Sequence, residues 1–413
     1  MKDKRPDASD DAWIDAAEAS RTLGVERATL YAYVSRGYVR SEPAPGGPRT
    51  RRYARRDVER LRQRTERRRD PDAAAVRALD WGMPILESSI TLIAGNALYY
   101  RGHDVVALSR SRSIEEVAAL IWTGRFDDAP RVLPAPPHAS SGPVDDALPF
   151  IARAQATLAV ASTRDLQAFD LRPEGVAFTG GRILRVLSDI AAPTRSRERT
   201  ARGGLHQNLA RAWRVGPRGA DVIRAAVILC ADHELNVSAF TARCVASSGS
   251  NPYAVVIAGL ASLEGTRHGG SSIRVESMLQ ALHRAGRLRD ALRERLRRGE
   301  AIDGFGHPLY PHGDPRAAAL LARLRDRYPR SSEVAFALGV ADAAASLIRE
   351  QPNVDFALAA VSRALRLPAG APLTIFALGR TIGWIGHAIE QYKTGQIIRP
   401  RAKYVGIAPP ALG

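Results

Sequence analysis

The stretch Gly304–Arg316, GFGHPLYPHGDPR, interrupts a chain that reads as helix on both sides of it. It places three Gly, three Pro, two His and one Arg within thirteen residues. No helix continues through such a run, because proline has no amide donor and its ring collides with the preceding turn. A plain surface turn is one reading. The other is a loop built to hold something, since imidazoles and a guanidinium on irregular backbone are suited to gripping a polar ligand.

The segments around this loop carry mostly helical patterning from about residue 219 onward. ADVIRAAVILCADHELNVSAFTARCVASSG, beginning at Ala220, is apolar for most of its length and is expected to be buried on most sides. NPYAVVIAGLASLEG, SSEVAFALGVADAAASLIRE, VDFALAAVSRALRL and LTIFALGRTIGWIGHAIEQYKTG read as further buried helices, whereas RLRDALRERLRRG reads as exposed. Groups that an apolar core does not select punctuate these helices: His233, His268, His307 and Asp355, joined by Arg316, Arg380 and Arg399. Imidazole and carboxylate suit proton transfer, and the planar fork of arginine suits carboxylates. Singly, each has a structural reading: HGG as a helix stop, Asp355 as a cap for the helix after it, and the arginines as solvated charge.

Taken in order, ADHELN, RHGG, GFGHPLYPHGDPRA, NVDFALAAVSRAL, FALGRTIGWIGHAIEQ and IIRPRAKYVG resemble the citrate synthase family. The earlier ITLIAGNALYYRGHDVVALSRSRSIEEVAALIWTG is similar to that family's N-terminal hairpin and first helices. The resemblance spans about residues 87 to 407 and is strongest after 219. It implies a helical large domain (87–271 and 373–413) and a small domain (272–372), with the site in the cleft between them. It implies that His268 holds the thioester carbonyl of an acyl-CoA and that Asp355 removes the adjacent proton. His307 then polarises the keto group of oxaloacetate, while His233, Arg316 and Arg380 bind its carboxylates. Arg399 matches a position that reaches the partner subunit's site, which implies a homodimer. Acyl-CoA enters as substrate, and no cofactor is expected. The match departs at HGGSSI, where Ser272 and Ile273 replace Asn and Glu. It departs again at Thr266 and Arg267, at Pro308 and Pro311, and at Cys230, where many members carry His. Arg267 beside His268 is a candidate for depressing the imidazole pKa.

Residues 1–70 form a different segment. LGVERATLYAYVSRGYVR and RRYARRDVERL resemble winged helix-turn-helix domains of the excisionase and mercury-regulator type. Between Arg49 and Arg69 eleven Arg face three acids, a focus of charge that phosphate neutralisation requires. The second helix, about Glu26–Arg36, would enter the major groove, with Arg27, Thr29 and Tyr33 as candidate contacts and Arg49, Arg51 and Arg52 on a basic wing. An oligomerisation or regulatory appendage is the alternative. A linker over 71–86 leads into GNALYY, which predicts a hairpin turning at Gly95-Asn96, and a helix opened by Ser113 with Glu115 and Glu116 behind it. Residues 128–146, rich in Pro, Ala and Ser, read as a surface loop.

The chain has 413 residues, is 45% hydrophobic and carries a net charge of +17, an excess that favours polyanions such as nucleic acid or CoA phosphates. The expected class is mainly α. No apolar run reaches the ~20 residues that a membrane span needs, and MKDKRPDASDD lacks an apolar signal region. Cys230 and Cys244 are expected to be buried free thiols, and a cytoplasmic setting follows. No CxxC or HExxH pattern suggests a metal, and no glycine-rich loop after a strand suggests a dinucleotide. Two function classes remain: a citrate synthase, acting on acetyl-CoA or, in the manner of 2-methylcitrate synthases, propionyl-CoA; or a DNA-binding regulator that uses this fold to sense a metabolite.

Overall fold

A computed structural model of the chain describes residues 13–44, 50–59, 61–62, 86–133, 147–191 and 203–407. The expected linker, apart from residue 86, and Arg49 lie outside these residues. The chain forms two compact units, residues 1–87 and 88–413.

In the first unit the order is β1 (Trp13–Asp15), α1 (Ala16–Leu23), α2 (Arg27–Ser35), β2 (Ser41–Pro43) and β3 (Arg51–Ala54). The strands are antiparallel with β3 in the middle, so that Ile14 and Ser41 both lie opposite Tyr53. Asp15 opens α1 by accepting the Glu18 amide at 2.7 Å. Ile14, Leu23, Leu30, Val39, Tyr53 and Val58 form a small core of its own. Of the residues expected to face DNA, Arg27, Thr29 and Arg51 are exposed. Tyr33 instead packs partly against the core. Arg52 pairs with Glu42 at 2.6 Å and lies 5.6 Å over the Trp13 ring.

The second unit opens with the expected hairpin, β4 (Thr91–Ala94) and β5 (Ala97–Tyr100), to which β6 (His103–Asp104) adds an edge. Both turn residues, Gly95 and Asn96, have positive φ (57° and 59°), the twist a two-residue hairpin selects. Helices α3 (Val105–Ser111), α4 (Ile114–Thr123), α5 (Ala129–Val132), α6 (Phe150–Arg164), α7 (Pro173–Ala191) and α8 (Leu205–Ala212) follow. Ser113 and Glu116 form a reciprocal capping box at the start of α4. Residues 129–132 are helical where a loop was expected, and residues 134–146 lie outside the described residues.

The densely helical region then gives α9 (Pro217–Leu229), α10 (Val237–Ser247), α11 (Pro252–Leu263), α12 (Ser271–Ala285), α13 (Leu288–Arg297), α14 (Pro315–Arg327), α15 (Ser332–Ile348), α16 (Val354–Leu365) and α17 (Ala371–Thr394). The apolar run after 219 is therefore not one helix. It breaks at 230–236, where Glu234 takes a left-handed backbone (φ 51°) and Asn236 restarts the helix by accepting the Ser238 and Ala239 amides at 3.2 Å each. Among the described residues no helix is long and apolar enough to cross a membrane.

The organising element is α17, buried along nearly all of its length, with α4, α7, α9, α10, α11 and α16 packed on it. Such close packing needs a face without side chains. At Gly383 a Cβ would stand 2.5 Å from the Ala231 carbonyl oxygen, and the Gly383 amide donates to that oxygen at 2.9 Å. The break between α9 and α10 is thus joined backbone to backbone with the central helix.

Gly383→Ala is expected to lower the melting temperature by about 2 to 5 °C, since a backbone oxygen cannot rotate aside as a side chain can. Gly339→Ala on α15, whose Cβ would meet only Leu288 at 3.8 Å, is expected to raise it slightly because alanine suits a helix better. Calorimetry of both variants checks the packing: equal melting temperatures would contradict it.

Candidate active site

Three irregular segments supply the polar groups. The first is the break at 230–236. Tyr100 holds it, accepting the Asp232 amide and donating to the Asp232 carbonyl, both at 3.0 Å. The Asp232 carboxylate is fully buried between Thr91 (2.5 Å) and His387 Nε2 (3.2 Å). Burial would raise its pKa, but His387 and Arg380 pull it below the usual carboxylate range. His233, the next residue, is buried and bonded through Nε2 to the Tyr310 hydroxyl at 3.0 Å.

The second segment is the 304–316 loop. It is zipped to the residues before α16: Gly306 N–H donates to Gln351 O at 2.9 Å, and Asn353 N–H donates to Gly304 O at 2.8 Å. Asn96, at the hairpin tip, donates to Gly313 O at 3.0 Å. Asp314 is the knot of the loop. Its carboxylate accepts Arg316 Nε at 2.9 Å and Nη2 at 2.8 Å, and also the Val354 amide at 3.0 Å. Two of the three guanidinium nitrogens of Arg316 are therefore already engaged, which qualifies its expected use as an open clamp. The Leu309 amide donates to His307 Nδ1 at 3.1 Å, leaving Nε2 of a neutral His307 to carry the proton. His312 is exposed, as expected.

His268 belongs to the third segment, the turn before α12. Its Nε2 lies 2.9 Å from Ser238 Oγ, which also accepts from Trp384 Nε1 at 3.2 Å and lies 2.8 Å from Asn236 Oδ1. Asp355 sits in the first turn of α16 and does not cap it. That role falls to Asn353, whose Oδ1 accepts the Asp355 and Phe356 amides at 3.0 and 3.4 Å. The Asp355 carboxylate is thereby left to the interior. Burial raises its pKa, against the opposing pull of Arg316.

The imidazoles of the cluster are held neutral by burial and by the arginines beside them. Burial and Arg380 push His268 down to about 4. Arg267 has no part in this, so the charge responsible comes from α17 and not from the neighbouring residue. Burial and Arg316 push His307 down to about 4, and burial with Arg316 and Arg380 holds His233 well below its ordinary value. Arg380 is 2% exposed, stacks 4.8 Å over Phe376, and has Nε and Nη1 without a hydrogen-bond partner among the described residues. A buried guanidinium with two idle donors is costly unless an anion completes it. Cys230 is buried among these groups with its thiol pushed up to about 12 by burial, so it contributes a small neutral side chain; Cys244 is only half-buried.

Sequence reasoning named His233, His268, His307, Asp355, Arg316 and Arg380, and the fold brings these together. Arg399 is exposed on the segment after α17 and does not join them. Tyr310, Asp314, Ser238 and Asp232 were missed, although Tyr310 and Asp314 lie within the opening loop itself. A cavity of about 600 Å³ between Trp122, Arg131, Asp170 and Lys393 contains none of the site residues.

The family model described as "Citrate synthase, C-terminal domain" matches residues 75–401. The chain belongs to the citrate synthase family. A relative named Citrate synthase 2, from Bacillus subtilis, is 31% identical over 80% of this chain and 96% of its own length. A 2-methylcitrate synthase 2 from Corynebacterium glutamicum is 27% identical over 75% of this chain and 89% of its own. Among solved structures, the citrate synthase of the archaeon Thermoplasma acidophilum is a ternary complex with carboxymethyl coenzyme A and oxaloacetate. It aligns with a TM-score of 0.67 and 21% identity over 80% of this chain and 97% of its own, and shows the shared fold.

The titration directions have consequences for stability. The unfolded chain takes up protons on His233, His268 and His307 near their ordinary value of about 6.5, whereas the folded chain resists until far lower. Stability from these residues is present above that value and falls as pH drops from about 6.5 toward 4. Asp355 works the other way, because its folded carboxyl takes up a proton before the unfolded one does. Asp355→Asn at neutral pH removes a buried charge and is expected to raise the melting temperature; a lower one would contradict the burial penalty.

Proposed function

We propose that this citrate synthase family member condenses an acyl-CoA with oxaloacetate at the cluster just described, releasing the product acid and CoA. The observation that carries the reading is Arg380: a buried cation with two idle donors, ringed by neutral imidazoles and adjacent to a buried carboxylate. Such a pocket suits a small polyanion bearing a carbonyl. Arg380, Arg316 through its remaining nitrogen, and His233 take the oxaloacetate carboxylates. His307 donates its Nε2 proton to the keto oxygen, a direction supported by the amide already bound at Nδ1.

Asp355 takes the α-proton of the acyl-CoA, and burial strengthens it as a base. The electron pair moves to the thioester oxygen, and the Nδ1–H of neutral His268 stabilises the resulting enolate through a hydrogen bond. This requires the single Ser238 proton to point at His268 Nε2. That proton is given to Asn236 Oδ1 at 2.8 Å in this structure, so it turns to His268 when the thioester binds, and Asn236 Oδ1 keeps the Ser238 and Ala239 amides. The enolate carbon attacks the keto carbon and the alkoxide gains the His307 proton; water then cleaves the thioester, giving its hydroxyl to the acyl carbon and its proton to His307, while the Asp355 proton leaves on the CoA thiol. Excluding bulk water favours each charge-moving step, and closure of a small domain (272–372) over a large one (87–271 and 373–413) is the means we assign to it. Arg399, exposed on an extended segment, would serve the site of a partner subunit in a homodimer.

Acetyl-CoA is the expected donor, and the Corynebacterium relative gives propionyl-CoA standing as the second candidate. One methylene is worth roughly 10- to 200-fold in such a pocket, so the ratio of kcat/KM for the two identifies the substrate. We further assign the first unit a winged helix-turn-helix role on duplex DNA, supported by exposed Arg27, Thr29 and Arg51 on and beside a helix pair and a three-stranded sheet.

Oxaloacetate-dependent thiol release is the test. Asp355→Ala is expected to reduce kcat by roughly 10² to 10⁴ with oxaloacetate binding retained. Arg380→Ala is expected to raise KM for oxaloacetate by about 30-fold or more, the loss expected for a buried charge-assisted contact. No thiol release with either acyl-CoA would refute the enzyme reading. For the first unit, the Arg27→Glu, Arg51→Glu double variant of the whole chain should lose duplex binding in a polarisation titration at low salt.

A further inference from the structure

Tyr310 is a large, buried side chain, only 2% exposed, at the centre of the imidazole cluster. Its hydroxyl bonds His233 Nε2 at 3.0 Å. Three rings form a closed triangle: His233 to His307 at 5.1 Å, His233 to Tyr310 at 5.5 Å, and His307 to Tyr310 at 4.8 Å between centroids. The Arg316 guanidinium lies 5.5 Å over the tyrosine ring while Asp314 holds it from the other direction.

The backbone explains how so short a loop holds a side chain at that point. His307 O accepts the Tyr310 amide at 3.0 Å, and Tyr310 O accepts the Gly313 amide, also at 3.0 Å. These are two consecutive β-turns sharing Tyr310, and each has proline at its second position: Pro308 in 307–310 and Pro311 in 310–313. Proline there pre-sets the backbone angle the turn needs and reduces the freedom of the unfolded loop. Gly313 completes the second turn at φ 103°, a left-handed angle that side chains resist.

We propose that Tyr310 is the positioning residue of the oxaloacetate site, and that Pro308 and Pro311 pre-organise it. Its hydroxyl sets the orientation and tautomer of His233, while its ring sets the plane of His307. This inference rests on the oxaloacetate reading and deepens it. The imidazoles are aligned before substrate arrives, so the binding step does not bear the cost of ordering them. With the tyrosine O–H given to Nε2, the single ring proton of a neutral His233 stands on Nδ1, free to meet a carboxylate. The hydroxyl is therefore what fixes which His233 nitrogen carries the proton.

The test is Tyr310→Phe, which keeps the ring and removes the hydroxyl, alongside the double variant Pro308→Ala, Pro311→Ala. Both are measured by thiol release and by calorimetric titration with oxaloacetate. Tyr310→Phe is expected to weaken oxaloacetate binding and raise its KM about tenfold, the value of one hydrogen bond, with kcat within about threefold. The proline double variant is expected to raise KM about 3- to 10-fold through lost pre-organisation alone. In ¹⁵N-histidine spectra of the whole chain the His233 ring signals should move in Tyr310→Phe, with those of His268 unchanged. Oxaloacetate affinity and His233 signals that both match the parent would overturn the inference while leaving the condensation reading intact. Failure of the parent chain to bind oxaloacetate would remove the substrate reading and this inference with it.

Discussion

The contact between Gly383 and the Ala231–Asp232 backbone governs the rest of the second unit. A helix as buried as α17 can approach another backbone only where it lacks a side chain. At that point its amide bonds the Ala231 carbonyl at the place where α9 stops. From one joint the chain obtains three results. Asp232 is directed into the interior toward His387, His233 is turned toward the loop, and Arg380, one turn before Gly383, is brought beside both. The left-handed Glu234 marks local strain, which the surrounding packing sustains.

Around that joint the charges are arranged asymmetrically. Asp314 and Asp232 are buried anions with their needs met, by Arg316 and the Val354 amide in one case and by Thr91 and His387 in the other. Arg380 is a buried cation whose needs are not met. The imidazoles between them are held neutral by burial and by the arginines, so they can donate single hydrogen bonds without adding further charge. An anion entering such a site meets buried guanidinium N–H groups that no acceptor among the described residues engages, and this is a stronger inducement than any surface arginine provides.

Loop and helix termini divide the polar work in a way that explains which residues are available for chemistry. Asn236, Asn251, Asp314, Ser331 and Asn353 all cap helices. Because Asn353 satisfies the first amides of α16, Asp355 does not have to, and its carboxylate remains in the interior. The same division operates in the loop, where Asp314 both caps α14 and holds Arg316, leaving His307 to present its Nε2.

Much of this was legible from one dimension. Helical periodicity located most of the helices, the Gly95-Asn96 turn announced its hairpin, and the order of His, Asp and Arg residues among the helices pointed to one family and to six residues that do meet in space. Those signals are local, or depend on order along the chain, and sequence carries both. The interruption at 230–236 was only half visible: its polar residues stood out, but an apolar run gives no sign of where a backbone must turn to meet another helix. Arg267 was named as the charge beside His268, whereas Arg380, more than a hundred positions away in sequence, exerts that field. The partial packing of Tyr33 on the small core and the pairing of Arg52 with Glu42 were likewise not visible in the sequence. Only the tertiary structure decided that Tyr310 joins His233 to His307, that Asn353 frees Asp355, and that Arg380 lies buried with idle donors. Each depends on distances between residues remote in sequence, and burial and field strength exist only once the chain has closed around them.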